Sequence, residues 1–122
     1  MNGHDKSYIK ENVLDEYYPD WSDKTYSEIK PGYYFDSSCQ GSVPAALLSF
    51  LESKDFVDCL KLAISLGGDS DTLAAISAPI AYAHYRVIPE ALLDNARKKL
   101  PQWMLELSES FDDYIIREIV SC

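Results

Sequence analysis

The residues best suited to chemistry in this 122-residue chain lie between Leu66 and Ala75, in the sequence LGGDSDTLAA. Two glycines end one apolar helical pattern, and a second, very apolar pattern begins directly after them. Between the two patterns stand the carboxylates of Asp69 and Asp71 and the hydroxyl of Thr72. Three hard oxygen donors at the start of a buried helix need a partner, and a divalent cation such as Mg²⁺, Mn²⁺ or Ca²⁺ would provide one.

The same residues also have a purely structural interpretation. Asp69 or Ser70 could cap the helix that follows, and Asp71 would then stabilise the positive end of the helix dipole. An EF-hand loop starting at Asp69 is excluded, because its glycine and glutamate positions are occupied by Ala74 and Ile80. A P-loop is excluded as well, since no lysine follows the glycines. The spacing alone leaves both the cation site and the structural interpretation open.

The composition is that of a folded acidic protein, with 47% hydrophobic residues, 25% charged residues and a net charge of −9. Nucleic acid is a poor partner for such a chain, since a phosphate binder needs a basic surface. There is no apolar run of transmembrane length and no signal-peptide core, so no membrane partner is expected. The three cysteines are odd in number and lack C-x-x-C spacing. This argues against a disulfide framework or a zinc site, and we expect a cytoplasmic protein.

The hydrophobic periodicity predicts an all-α fold, a bundle of five to six helices in a single domain over residues 1–122. Residues 1–42 hold a short helix at 6–18 and a long aromatic loop. A loop of that length favours a wrapping or site-forming role. Residues 43–122 form the helical core, with helices predicted at 43–53, 55–66, 71–86, 89–100 and 103–119.

Local signals set the expected limits of these core helices. Ser42 is the predicted N-cap of the first, Asp55 caps the second, and the two glycines end it. The helix at 71–86 is apolar nearly all round, so we expect it to be central and buried on most sides. Pro79 is expected to kink this helix or to reset its boundaries.

Three segments resemble the ADP-ribosylglycohydrolase family, the family of the dinitrogenase reductase-activating glycohydrolase. They are DSSCQGSVPAAL at 36–47, FLES at 50–53 and SLGGDSDTLAAI at 65–76. The third segment is the most specific of them. The resemblance extends from about residue 8 to residue 115, and the fold it implies is the C-terminal half of that family's all-α domain.

Members of that family use two Mg²⁺ ions, or Mn²⁺ in some cases, to hydrolyse the bond between ADP-ribose and an acceptor. The resemblance implies that Asp69, Asp71 and Thr72 are metal ligands. It also implies that the loop Ser38-Cys39-Gln40-Gly41 lines the binding site for an ADP-ribosylated substrate. The cations would orient the ribose hydroxyls and activate a water molecule.

The family's remaining ligands come from a Gly-Asp-x-x-Gly block and a Thr/Ser-Asp-Asp triplet, and neither occurs in these 122 residues. Two functions therefore stand as alternatives. The chain is either a hydrolase component, inactive alone, whose other half is a separate chain or lies outside these 122 residues, or a non-catalytic helical interaction module. The apolar faces of the helix at 71–86 favour a homo-oligomer or association with the missing half.

Overall fold

Helices make up most of the protein, and the computed structural model describes residues 5–120, with side chains as far as residue 118. No strand occurs among these residues, which confirms the all-α prediction. The structure shows seven helices where five to six were expected, the addition being a single turn, α2, in the predicted aromatic loop. They are α1 (residues 6–17), α2 (Tyr26–Ile29), α3 (Cys39–Glu52), α4 (Phe56–Ser65), α5 (Ser70–Tyr85), α6 (Glu90–Lys99) and α7 (Gln102–Ile115).

The chain divides into two compact units, one ending at Val87 and the other beginning at Ile88. The second unit contains α6 and α7, which correspond to the helices predicted at 89–100 and 103–119 and begin directly after Pro89 and Pro101. Neither of these helices contains a buried residue. Each described helix is too short or too polar to cross a bilayer.

The core of the first unit is built around α3, in which nine residues are buried between Gly41 and Phe50. The helices α4 and α5 pack on α3 and on each other. One cluster of buried side chains joins α2 to these three helices, and a second joins α1 to α3. The buried members of the two clusters are Tyr26, Ala45, Ala46, Ala63, Leu66 and Leu73 in the first, and Leu14, Leu47 and Leu48 in the second.

The prediction that the helix at 71–86 is buried on most sides is wrong. In α5 only the stripe Leu73, Ser77 and Ala81 is buried, and Tyr82 is 51% exposed. These three residues are spaced by one helical turn, so a single face of α5 meets α3 and α4. The helix also continues through Pro79 without a change of boundary.

The first core helix begins earlier than predicted, and Ser38 is its N-cap instead of Ser42. Ser38 has the extended backbone of an N-cap, and its Oγ accepts a hydrogen bond from the Gly41 amide at 3.2 Å. Ser42 is buried one turn further on and donates from its Oγ to the Ser38 carbonyl at 2.7 Å. The predicted cap of α4 is confirmed, since Asp55 accepts from the Asp58 amide at 2.8 Å.

The N-terminal segment is fastened to the core by polar contacts as well as by packing. Lys6 donates to the carbonyls of Leu51 and Ser53 at the C-terminal end of α3. This places a cation at the negative end of the helix dipole. Tyr26 in α2 donates to the Leu62 carbonyl of α4 at 2.8 Å. The segment before α3 therefore wraps the core, and it brings Tyr33–Gly41 to the site described next.

Candidate metal and substrate site

The site begins at the reversal between α4 and α5. Gly67 and Gly68 both have left-handed backbone conformations, with φ of 81° and 62°. Glycine adopts this region without the steric penalty of a Cβ, so the chain ends α4 and turns sharply. The predicted helix–Gly-Gly–helix connection is confirmed, and Asp69 stands at the N-cap position of α5.

Asp69 and Asp71 form a pair of neighbouring carboxyl groups at the start of α5. The Asp69 side chain makes no capping hydrogen bond to the helix. The Asp69 carboxyl group interacts with that of Asp71, and this interaction, together with the hydrogen bond that the Thr72 amide donates to Asp71 Oδ1 at 3.0 Å, lowers the pKa of Asp71. Neighbouring carboxylates repel each other, and a bound cation would relieve this repulsion. The capping role considered for Asp69 is therefore not observed, whereas Asp71 does lie in the first turn.

The donors available to a cation at this point are few. Asp71 is exposed, and Asp69 and Thr72 are half-buried. Across residues 5–120, no group of three or more Asp, Glu, His or Cys side chains is arranged to hold a metal ion. Mg²⁺ prefers about six oxygen ligands. Asp69, Asp71 and Thr72 thus suit one part of a coordination sphere, and further ligands would have to come from elsewhere.

The segment before α3 lies against this reversal. A Cβ on Gly68 would come within 3.0 Å of the Tyr34 carbonyl oxygen and 3.1 Å of the Phe35 Cα, so the two backbones are in close contact. The phenol of Tyr33 interacts electrostatically with the carboxylates of Asp36 and Asp69. Partial burial and these two carboxylates raise the pKa of Tyr33. Tyr33 Oη also donates to the Gly41 carbonyl at 3.5 Å, so Tyr33 contacts the predicted substrate loop.

The predicted substrate loop Ser38-Cys39-Gln40-Gly41 forms the N-cap and first turn of α3. Ser38, Cys39 and Gln40 are exposed, whereas Gly41 is buried. Asp36 fixes the loop from one side, because its Oδ1 accepts from the Ser38 amide at 2.8 Å and from the Ser38 Oγ at 2.6 Å. These contacts lower the pKa of Asp36. The loop thus presents the positive end of a 14-residue helix to solvent.

Two residues of this site, Tyr33 and Asp36, were absent from the set predicted from the sequence. Asp36 stands two residues before a serine at the start of a helix, a pattern typical of an Asx turn, and this signal could have identified it. Tyr33 carries no comparable local signal. Its place beside Asp69 depends on the contact between Gly68 and the backbone of Tyr34 and Phe35.

The sequence of this chain is similar to those of known proteins. The sequence model of the ADP-ribosylglycohydrolase family matches residues 4–119. An uncharacterized protein of Archaeoglobus fulgidus is 39% identical over 57 residues, which are 47% of this chain and 19% of that protein. The matched stretch thus spans about a fifth of the relative's length. No solved structure matches the chain. The family match covers nearly the whole sequence and includes the Gly-Gly-Asp-Ser-Asp-Thr reversal, and the chain therefore belongs to the ADP-ribosylglycohydrolase family.

Proposed function

We propose that this chain supplies one half of the divalent-cation site of an enzyme that hydrolyses N- or O-glycosidic bonds to ADP-ribose. The observation that carries the proposal is the pair of interacting carboxyl groups of Asp69 and Asp71, at the N-cap and in the first turn of α5. Together with Thr72, these residues would hold Mg²⁺ or Mn²⁺. When bound, the cation would orient the ribose hydroxyls and activate a water molecule.

The loop Ser38-Cys39-Gln40-Gly41 would bind the ADP-ribosyl part of the substrate. The N-terminus of α3 offers backbone amides and the positive end of the helix dipole, which favour a diphosphate. Asp36 positions Ser38 through two hydrogen bonds and so sets the shape of this turn. The contact of Gly68 with Tyr34 and Phe35 supports the proposal, because it places the loop and the acidic pair on neighbouring segments.

We further propose that the chain is inactive alone. It offers two carboxylates and one threonine where the cation needs about six oxygen atoms. The Gly-Asp-x-x-Gly block and the Thr/Ser-Asp-Asp triplet are not in its sequence. The remaining ligands would come from the N-terminal part of the family's domain. A reducing compartment such as the cytoplasm suits the free thiols of Cys39 and Cys59.

A second candidate function is that of a non-catalytic helical interaction module. The observation that favours it is the exposed apolar face of α7. Trp103, Leu107, Phe111 and Tyr114 are spaced by about one turn and are 57–64% exposed. An apolar surface of this kind marks an interaction site. A second copy of the chain or the N-terminal half of the domain would be its partner.

Binding and turnover measurements on the same protein separate the two functions. Mn²⁺ binding is followed by electron paramagnetic resonance, and hydrolysis of an ADP-ribosylated substrate is measured with and without the N-terminal half of a family member. We expect weak Mn²⁺ binding that Asp71→Asn removes and Asp94→Asn, an exposed carboxylate on α6, leaves intact. Turnover should require both halves. Complete absence of Mn²⁺ binding, with or without the second half, would favour the interaction module.

Two further outcomes would contradict specific parts of the proposal. Mg²⁺-dependent turnover by the chain alone, abolished by Asp71→Ala, would show that no second half is needed. Sedimentation equilibrium at micromolar concentration tests association. A monomer of 13.8 kDa that unfolds cooperatively would contradict a homo-oligomer.

A further inference from the structure

The first unit contains an open cavity of about 560 Å³ that borders the proposed substrate loop, since Gly41 of that loop and Asp36, which positions it, are among its lining residues. The segment before α3 builds nearly all of it, and three aromatic rings form part of its wall: Trp21, Tyr33 and Tyr34. Aromatic faces carry negative electrostatic potential and attract cations. The cavity is thus shaped for a small ligand whose recognition depends on these rings.

The charges around the cavity favour a cation over a phosphate. Its lining includes the carboxylates of Asp20, Asp23, Glu28 and Asp36 and a single ammonium group, that of Lys24. Glu28 bonds to Thr25 and Asp36 to Ser38. The carboxylates of Asp20 and Asp23 make no hydrogen bond or ion pair with the described residues. Four carboxylates against one ammonium group would repel a diphosphate and attract positive charge.

An ammonium group of the chain itself already lies on one of the rings. Lys24 Nζ is 4.7 Å from the centroid of the Trp21 ring. Lys24 is exposed, and its ammonium forms no ion pair in the described part of the chain. Exposed cation–π contacts are weak, so a better-fitting cation can displace this side chain at little cost. Lys24 therefore acts as an internal stand-in for the ligand of the cavity.

From these contacts we infer that the cavity binds an alkylammonium cation on the face of Trp21, with Asp20 and Asp23 supplying the counter-charge. Neither Asp69 nor Asp71 lines the cavity, so this site does not depend on the proposed divalent-cation site, and its ligand differs from ADP-ribose in the sign of its charge. The ligand could be a free organic cation or a lysine side chain of another protein. Both share the ammonium chemistry.

Nuclear magnetic resonance of the ¹⁵N-labelled full chain tests the inference directly. The indole N–H signals of Trp21 and Trp103 are followed during titration with choline chloride and with 3,3-dimethyl-1-butanol, its neutral counterpart. We expect a saturable shift at Trp21 with choline in the millimolar range, no shift at Trp103, and weaker binding at higher salt. An equal response to the neutral alcohol would overturn the inference, because it would show a merely apolar cavity.

Substitutions of charged residues test the same inference while leaving the Trp21 ring in place. Lys24→Met takes away the internal competitor and should tighten choline binding about three-fold. Lys61→Met, at an exposed lysine of α4, is the matched control and should have no effect. The double variant Asp20→Asn and Asp23→Asn should weaken binding about five-fold. If Lys24→Met left the affinity unchanged or lowered it, the assignment of this ring face would be wrong.

Two further binding experiments, with a lysine-containing peptide and with ADP-ribose, identify the source of the ligand and distinguish this site from the proposed substrate site. A lysine-containing peptide that binds more tightly than choline would support the site and assign its ligand to a protein. ADP-ribose should not displace choline. Displacement by ADP-ribose would overturn the inference and assign the cavity to the substrate. Failure of choline to bind would overturn this inference. It would leave the proposed function intact, because that function is tested separately by Mn²⁺ binding at Asp71.

Discussion

The carboxylate of Asp36 occupies the space that a side chain at position 41 would need. The three atoms nearest to a Cβ built on Gly41 all belong to the Asp36 side chain, and each lies closer than real Cβ contacts allow. Asp36 is held in this position by two hydrogen bonds to Ser38. Glycine is therefore needed at position 41 because the Asp36 side chain approaches its Cα closely, and not because of its backbone conformation, which is helical.

This contact predicts that Gly41→Ala changes the free energy of unfolding in opposite directions with and without the Asp36 side chain. In the native chain, Gly41→Ala must displace Asp36 and should lower the free energy of unfolding by about 1–3 kcal/mol. In an Asp36→Gly background all three obstructing atoms are absent. Alanine is the better helix former by about 1 kcal/mol, so the same change should then stabilise the protein. Urea unfolding of the four proteins provides the double-mutant cycle. Equal costs in both backgrounds would contradict the contact.

The two glycines of the reversal should differ in their tolerance of alanine. Both have positive φ, for which a Cβ costs about 1–2 kcal/mol. A Cβ on Gly67 would meet no atom within 4 Å, whereas one on Gly68 would press on the Tyr34 carbonyl and on Phe35. We expect Gly68→Ala to destabilise the protein more than Gly67→Ala in thermal unfolding. The reverse order would show that the segment before α3 does not rest on this turn.

The capping box of α2 should make stability depend on acidic pH. Hydrogen bonds from the Thr25 amide and hydroxyl lower the pKa of Glu28. Because the pKa is lower in the folded state, the ionised side chain stabilises the protein above the ordinary glutamate value. This stabilisation is lost as the pH falls below the ordinary glutamate range and through the lowered pKa of Glu28.

Urea unfolding of the native chain and of Glu28→Gln at several pH values measures this effect. The difference between the two proteins should be largest near neutral pH and should shrink as the solution becomes acidic. Glu16→Gln, at an exposed glutamate of α1, is the control and should show a smaller pH-dependent difference. A Glu28→Gln difference that stays constant with pH would rule out the ionised capping box.

The cysteines should differ sharply in reactivity towards a disulfide reagent. Cys39 is exposed in the first turn of α3, whereas Cys59 is fully buried and near the Ser77 carbonyl. Burial raises the pKa of the Cys59 thiol, so little thiolate is present at neutral pH.

A Cys122→Ser background excludes the third cysteine, which lies outside the described residues. In that background we expect one thiol to react at once. The second should react about 100-fold more slowly, at a rate set by opening of the core. The Cys39→Ser variant of this protein should lose the fast phase. A fast phase that persists in it would show that Cys59 is accessible.

The sequence by itself determined the features that depend on neighbouring residues. The all-α class follows from the hydrophobic period, and the reversal at Gly67 and Gly68 follows from the conformations that glycine tolerates. The cap at Asp55 is local in the same sense. Each of these was predicted and is observed in the structure.

Only the tertiary structure decided the features that depend on distant segments. Ser38 and Ser42 are both acceptable N-caps locally, and the choice of Ser38 leaves Ser42 buried within the helix. An all-apolar helix such as α5 does not reveal which of its faces will be covered, because coverage depends on its neighbours. The approach of Tyr33 to Asp69 joins residues 36 positions apart through the packing of a whole segment on Gly68. Such contacts have no local signature, since chain folding alone brings the groups together.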